Sequence, residues 1–133
     1  MPPKPPSTPA AEPNAVAATP RPPYYAVIFT SVRTDGDDGY SDMAAEMVEL
    51  ASRQAGFLGM ESARDGLGIT VSYWASLEDI QAWRQNAEHR FARQMGRQKW
   101  YRAFKVRVCK VEREYGFERP AETGAESAPP DGG

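Results

Sequence analysis

The sequence predicts an α+β domain with a ferredoxin-like βαββαβ order, in which a four-stranded antiparallel sheet carries two helices on one face. Two observations lead to this prediction. All twelve prolines lie before Tyr24 or after Phe117, so one proline-free segment holds nearly all the apolar and aromatic residues. Within that segment, strand-like runs and stripes at helical spacing follow each other in this order. We therefore expect one folded domain at 24–117 between disordered tails at 1–23 and 118–133.

The first half of the domain predicts a strand, a helix and a second strand. Residues Tyr24 to Arg33 are β-branched and aromatic, a composition typical of strands. A helix is expected from Tyr40 to Gln54, and Gly56 is expected to cap its end. The apolar residues of this helix recur on one stripe, which comprises Met43, Met47, Leu50 and Ala51. The second strand is expected from Phe57 to Arg64.

The second half predicts a hairpin, a helix and a last strand. Asp65-Gly66 is a tight-turn signal before a strand from Leu67 to Trp74, which sets an apolar face against a face containing Thr70 and Ser72. Ser76 and Asp79 have capping-box spacing, so a helix is expected to begin near Ser76. Its apolar stripe comprises Ile80, Trp83, Ala87 and Phe91, and Gly96 interrupts the helix. The last strand is expected from Ala103 to Tyr115.

Both faces of the first strand carry apolar residues, which predicts a dimer. Tyr25, Val27 and Phe29 alternate with a second apolar set on the opposite face, which comprises Tyr24, Ala26, Ile28 and Val32. Two helices cover only one face of a four-stranded sheet, and a large exposed apolar face is unusual in a monomer. We therefore expect a homodimer that stacks the two sheets through the face away from the helices.

Composition excludes several classes of function. The formal net charge of -2 gives no reason to expect a nucleic-acid partner. No apolar run approaches the length of a membrane span, and the N-terminus lacks a hydrophobic signal core. The single cysteine, Cys109, cannot form an internal disulfide, and one histidine and one cysteine are too few for a His/Cys cluster that could hold zinc. We expect a cytoplasmic protein that contacts neither membrane nor nucleic acid and has no metal site.

The single histidine is the first candidate for chemistry. On a helix, His89 shares a polar stripe with Asn86 and Arg93, beside the apolar stripe of Trp83. Such a row lines the edge of a pocket between helix and sheet, where His89 would move a proton or anchor a substrate. The alternative is a surface histidine on a solvated helix face.

Aromatic residues supply candidates for binding. Trp74, Trp83 and Phe91 would wall a cavity for a flat aromatic ligand, and Arg97 would anchor an anionic group. The alternatives are ordinary core packing for the aromatic rings and a cation at a helix end for Arg97. No glycine-rich phosphate loop and no G-x-S-x-G nucleophile elbow are present.

The segment WASLEDIQAW at residues 74–83 and the following NAEH at 86–89 resemble the antibiotic biosynthesis monooxygenase family. The resemblance covers roughly residues 24–115. It implies the dimeric α/β-barrel architecture. Some members oxidise polycyclic aromatic substrates with dioxygen and without metal or flavin, which implies a polar anchor, an apolar box and no bound cofactor. Trp83 occupies the helix tryptophan of this pattern.

Other members of the family bind and degrade haem. They use that tryptophan, an asparagine of the first strand and a histidine ten residues after the tryptophan. Arg93 stands at the histidine position here, and residues 24–33 contain no asparagine. Haem degradation is therefore the less favoured reading of the resemblance.

The resemblance and the candidate residues together give two hypotheses. The first is a cofactor-independent monooxygenase-like enzyme for a small aromatic or quinol-type substrate. In it His89, Asn86 and Trp83 would be catalytic, and Trp74, Phe91 and Arg97 would bind the substrate. The second is a non-catalytic dimer that binds a small molecule or a partner through the same fold.

Overall fold

The computed structural model describes residues 15–93 and 99–120, and it describes the side chains of 15–88 and 99–120. Six elements follow in the predicted βαββαβ order, which confirms the fold class. They are β1 (Tyr24–Arg33), α1 (Tyr40–Ser52), β2 (Phe57–Asp65), β3 (Leu67–Trp74), α2 (Leu77–Arg93) and β4 (Tyr101–Val111).

Two predicted boundaries were wrong by a few residues. Helix α1 ends at Ser52 rather than Gln54, because the backbone N–H groups of Arg53 and Gln54 close a turn onto Leu50 and Ala51. Strand β4 begins at Tyr101 because Tyr101 pairs with Arg33 across a bulge. It ends at Val111 because that residue pairs with Tyr24, where its neighbour strand begins, and the chain beyond has no partner strand.

The sheet has the strand order β2-β3-β1-β4, and its neighbours are antiparallel. Helix α1 packs over β2 and α2 packs over β3. The helices therefore cover one face of the sheet, mainly over the half formed by β2 and β3. The buried core lies there and comprises Ala51, Met60, Trp74 and Ile80, with Tyr25, Val27, Val48, Phe57 and Trp83 packed against it. The face of β1 that carries Tyr25 and Val27 is therefore the face that the helices cover.

Local signals in the sequence explain the turns that frame this core. Ser76 Oγ accepts the N–H of Asp79 at 3.0 Å and donates to the Asp79 carboxylate at 2.9 Å, which confirms the capping box at the start of α2. Gly56 has a φ of 83°, which lets the chain reverse from α1 into β2. Gly66 has a φ of 84° in the hairpin between β2 and β3.

The N-terminal segment reaches the domain before β1 begins. The backbone N–H of Ala17 donates to the Glu61 carboxylate at 2.9 Å. The hydroxyl of Thr19 donates to Glu114 at 2.8 Å, and the Tyr24 hydroxyl makes a short hydrogen bond to the same carboxylate. Residues 15–23 are therefore tied to the sheet where β1 begins and, through Glu61, in the middle of β2. Of the predicted tails at 1–23 and 118–133, residues 1–14 and 121–133 lie outside the described residues.

Candidate functional site

A cavity of about 770 Å³ lies between the two helices and the sheet. We call it the central cavity. Strand β1 contributes Val27 and Phe29, and β4 contributes three apolar side chains at its far side, namely Phe104, Val106 and Val108. The helices contribute a mostly apolar roof that includes Met43, Met47, Val48, Ile80, Trp83 and Ala87. The helices lie over β2 and β3, so the cavity opens above β1 and β4.

The β4 wall of the central cavity is apolar but only partly covered. Phe104, Val106 and Val108 are 36%, 49% and 51% exposed, although they lie on the helix-covered face of the sheet. In register, Val106 pairs with Phe29 and Val108 pairs with Val27, so the four side chains form one continuous apolar floor. A flat apolar molecule would remove this floor from water, which is a favourable change.

Two stacked indole rings form the inner end of the central cavity. Trp83 lines the cavity, and its ring stacks on Trp74 with a centroid distance of 5.9 Å and an interplanar angle of 20°. Trp74 is completely buried and lies behind Trp83, where Phe57 packs edge-on against it. The Nε1 of Trp74 donates to the Oγ of Ser72 at 2.9 Å. Trp74 therefore acts on the cavity through Trp83 and Ser72 rather than as part of its surface.

A row of hydroxyl groups crosses the sheet floor of the central cavity. Ser62, Thr70 and Ser72 all line it, and Ser62 Oγ and Thr70 Oγ1 are hydrogen-bonded to each other at 2.9 Å. Strand register explains the row, because Ser62 pairs with Thr70 and Ser72 pairs with Val27 on the face below the helices. These groups give an otherwise apolar floor a line of uncharged hydrogen-bonding atoms.

Two tyrosines form a polar corner at the other end of the central cavity. The Tyr101 hydroxyl donates to the Tyr40 hydroxyl at 3.4 Å, and both side chains line the cavity. Burial and the hydrogen bond to Tyr40 raise the pKa of Tyr101 above its usual range. The Arg33 guanidinium lies 3.6 Å from the centre of the Tyr40 ring, a cation–π contact that holds this ring in place. At neutral pH the Tyr101 hydroxyl is therefore a proton-bearing donor.

The charged side chains among the described lining residues lie at the rim of the central cavity. Arg84 Nε and the Glu88 carboxylate form an i,i+4 ion pair at 3.2 Å on α2, and both side chains are more than half exposed. Lys105 also lines the opening. An exposed pair of this kind contributes little stability, so its importance lies in the charge it places at the entrance.

The structure separates the residues that the sequence singled out. Trp83 lines the cavity, whereas Asn86 is exposed and its Nδ2 donates to Gln54 Oε1 at 3.1 Å, which ties α2 to the end of α1. His89 and Phe91 lie in α2, but their side chains are outside the described residues, and so is all of Arg97. The roles assigned to all of these residues stay predictions.

The sequence reasoning did not single out Ser72, Tyr40 or Tyr101 as site residues. The alternation of β3 was a usable signal for Ser72, because it placed a polar row with Thr70 on the face opposite Leu67 and Ile69. The tyrosine corner had no local signal, since it joins residues 61 positions apart in the sequence.

The described residues contain neither a metal-binding cluster nor a membrane-spanning helix. No group of three or more His, Cys, Asp or Glu side chains within residues 15–88 and 99–120 could hold a metal ion. Among the described helices, none is long and apolar enough to cross a membrane.

Residues 23–95 match the family model of the antibiotic biosynthesis monooxygenases, which is more than half of the chain. The chain is 52% identical over 105 residues to the uncharacterized protein YqjZ of Bacillus subtilis. That match covers 77% of this chain and 92% of YqjZ.

Solved structures share the fold at low sequence identity. SnoaB of Streptomyces nogalater, a cofactor-independent oxygenase, superposes with a TM-score of 0.58 at 7% identity over 70% of this chain and 97% of SnoaB. PA3566 of Pseudomonas aeruginosa superposes with a TM-score of 0.54 at 17% identity over 71% of this chain and 98% of its own. At these identities the likeness shows the fold.

Proposed function

Because the chain belongs to the antibiotic biosynthesis monooxygenase family, we propose that it is a monooxygenase-like enzyme that acts on a small aromatic or quinol-type substrate. The observation that carries the proposal is the central cavity. It is large enough for a polycyclic ring, has an apolar floor and roof, and contains a few placed hydroxyl groups. Sites for small molecules typically combine these features.

The proposed reaction needs no bound cofactor. An anthrone or quinol that loses a proton becomes an electron-rich anion, which can reduce dioxygen directly. In the oxidation of an anthrone methylene group, one oxygen atom enters the product as a ketone. The other leaves as water with the two substrate hydrogens. The protein would hold the ring flat, favour the anion and stabilise its developing negative oxygen. SnoaB, which shares the fold, is itself a cofactor-independent oxygenase.

We assign the proton transfer to His89. Its ordinary pKa lies near physiological pH, so it can accept a proton without strong tuning. It belongs to α2, the same helix that places Trp83 on the cavity wall. Trp83 would set the plane of the substrate by stacking, and the uncharged hydroxyl row would face the ring from the sheet.

Haem degradation is not part of the proposal. The position ten residues after Trp83 holds Arg93, and β1 contains no asparagine. A guanidinium group is a cation without a lone pair to give iron, so the residues present do not fit an axially ligated haem.

Dioxygen uptake by metal-free protein tests the activity across a panel of quinols and anthrones. Wild type should oxidise at least one member above the buffer rate, and His89→Ala should lower the turnover by about 100-fold, the usual scale for losing a general base. Trp83→Phe should mainly weaken binding. Gln81→Ala, an exposed position on α2 that does not line the cavity, is the control. Equal uptake by wild type and His89→Ala would remove His89 from the mechanism.

A non-catalytic binding protein is the second candidate. The described lining consists mainly of apolar side chains and hydroxyl groups, which is sufficient for binding without any reaction. If no member of the panel is oxidised while aromatic ligands still bind in the cavity, this second candidate replaces the first.

We also propose that two copies assemble through the sheet face opposite the helices. Leu67 and Ile69 are 51% and 41% exposed on that face, near the hairpin end of β3. Ile28, Val32 and Val71 continue the same apolar surface and are only partly buried. The N-terminal segment is tied to this face at Glu61, in the middle of β2, and to Glu114 beside the start of β1, so the hairpin end is the part left for a partner.

A further inference from the structure

We infer that Ser72 donates a hydrogen bond to an oxygen atom of the molecule bound in the central cavity, and that Trp74 fixes the direction of this bond. The inference rests on the proposed function in taking the cavity as the substrate site. It adds the class of ligand, a ring that carries an acceptor oxygen, and it gives the buried Trp74 a positioning role.

The argument begins with the hydrogen-bonding capacity of the two side chains. An indole Nε1–H can only donate, so the 2.9 Å bond between Trp74 Nε1 and Ser72 Oγ uses Ser72 as the acceptor. The proton of the Ser72 hydroxyl is therefore not used in that bond. No other described side chain or backbone group is hydrogen-bonded to this hydroxyl. Ser72 thus holds a spare donor whose direction is restricted by the bond from Trp74.

Burial makes this spare donor significant. Ser72 is 6% exposed and Trp74 is completely buried, yet Ser72 lines the central cavity. A buried donor without an acceptor is costly, so the proton must meet water or a ligand atom in the cavity. A ligand oxygen that replaces the water keeps this hydrogen bond, whereas a hydrocarbon at the same place loses it.

The neighbouring groups define the kind of oxygen. Ser62 and Thr70 share one hydrogen bond, so one of their two hydroxyl protons also remains available on the same floor. These donors are uncharged, which suits a carbonyl oxygen or a single oxyanion rather than a multiply charged phosphate. Trp83, stacked on Trp74, lies on the cavity wall beside this row. The arrangement therefore favours a flat ring with an oxygen directed at β3.

Calorimetric titration with a matched pair of ligands tests the inference. The ketone 1-tetralone carries one acceptor oxygen and no donor, and tetralin has the same ring system without the oxygen. Wild type should bind 1-tetralone more tightly than tetralin. Ser72→Ala should weaken 1-tetralone binding by about tenfold, as for the loss of a net favourable hydrogen bond, and should leave tetralin binding unchanged.

Two further variants separate a direct contact from a structural effect. Trp74→Phe keeps an aromatic ring at this position but replaces the indole with a smaller phenyl group and removes the Nε1 donor. It should therefore reduce the preference for the ketone over tetralin. In the double variant, Ser72→Ala should reduce this preference little further. Ser31→Ala is the matched control. Ser31 is a buried serine on the same face that does not line the cavity, and the Arg64 guanidinium binds its hydroxyl at 2.6 Å.

The inference is overturned if wild type shows no preference for 1-tetralone. It is also overturned if Ser72→Ala leaves that preference intact or weakens both ligands equally. If Ser72→Ala does not fold, the ketone preference of Trp74→Phe decides. Binding is measured without dioxygen, so a ketone preference in a protein that oxidises nothing would leave the inference standing and refute the proposed activity alone.

Discussion

The position of some site residues can be predicted from their neighbours in the chain, whereas the position of others depends on how the strands pair. The stripe of α2 directed Trp83 toward the sheet, and its side chain lines the central cavity. Trp74 was expected to wall the same cavity, but it pairs with Tyr25 and Phe57 in the sheet, which buries it behind Trp83. Ser72 depends on Trp74 for its direction; strand alternation puts the two side chains on one face but does not show that they are hydrogen-bonded.

The position of Arg93 carries a prediction about haem. Adding haem to the wild-type protein should give no sharp Soret shift, because a guanidinium group at this position cannot ligate iron. Absorption titration with haem checks this, with buffer as the reference. A sharp Soret shift that disappears in His89→Ala would contradict the prediction and would mean that His89 reaches the iron from one turn earlier on the helix.

Elements were predicted well where a local signal sets their limits. The capping box at Ser76 fixed the start of α2, and the Asp65-Gly66 turn fixed the hairpin. The limits of β4 were missed because they are set by β1. Arg33 and Tyr24 determine where the pairing of β4 starts and stops, and these residues are far away in the sequence.

The turn between α1 and β2 yields a prediction about stability. Gly56 has a φ of 83°, and a Cβ added there would lie 2.7 Å from the Cβ of Asp79. Gly56→Ala should therefore destabilise the fold by about 3 kcal/mol, from backbone strain and from displacement of the Asp79 cap. Gly36→Ala has a similar φ of 80° and nothing within 4 Å of the added atom.

Denaturant unfolding of both glycine variants separates strain from contact. The control, Gly36→Ala, should cost about 1 kcal/mol because it carries the strain alone. Equal losses of unfolding free energy in the two variants would show that the contact with Asp79 is not important.

The N-terminal segment yields a prediction about pH. The hydrogen bonds from Tyr24 and Thr19 lower the pKa of Glu114 below its ordinary 4.5. The Glu114 carboxylate therefore stabilises the attached segment fully above pH 4.5, and this stabilisation is lost as the pH falls through the lowered pKa. Burial and the hydrogen bond to Glu114 raise the pKa of Tyr24 above 10.0. The protonated Tyr24 hydroxyl therefore stabilises the attached segment fully below pH 10.0, and this stabilisation is lost as the pH rises through the raised pKa. The segment should therefore be attached at neutral pH and released at both extremes.

Amide hydrogen exchange at Ala17 and Thr19 measures the attachment of this segment. Glu114→Gln should speed exchange there at neutral pH, because the carboxylate that accepts two hydroxyl donors is gone. Glu112→Gln makes the same change of charge two residues away and should leave exchange as in wild type. Unchanged exchange in Glu114→Gln would show that the segment is held by other contacts.

In the whole molecule the helices cover one face of the sheet, and the other, which we call the open face, is covered in part by residues 15–23. Strand alternation in the sequence was sufficient to sort the residues of β1 into two faces, because a residue's parity along the strand decides which face it joins. Which of the two faces the helices cover came from the structure. The size of the central cavity was not predictable in this way. It depends on where α1 and α2 lie over β2 and β3, and this placement follows from the packing of distant side chains.

The open face yields the last prediction, which concerns assembly. Wild type should sediment as a dimer at micromolar concentration, because the apolar surface around Leu67 and Ile69 is removed from water when two sheets stack. Leu67→Asp should dissociate the dimer, since it would bury an unpaired carboxylate at the interface. It should also lower the unfolding temperature, because the subunit loses the stabilisation that comes from binding its partner. Leu77→Asp is the matched control: Leu77 has the same 51% exposure but lies in the first turn of α2, where an acidic side chain is tolerated. A monomer mass for wild type, or a dimer that survives Leu67→Asp as well as it survives Leu77→Asp, would place the interface elsewhere.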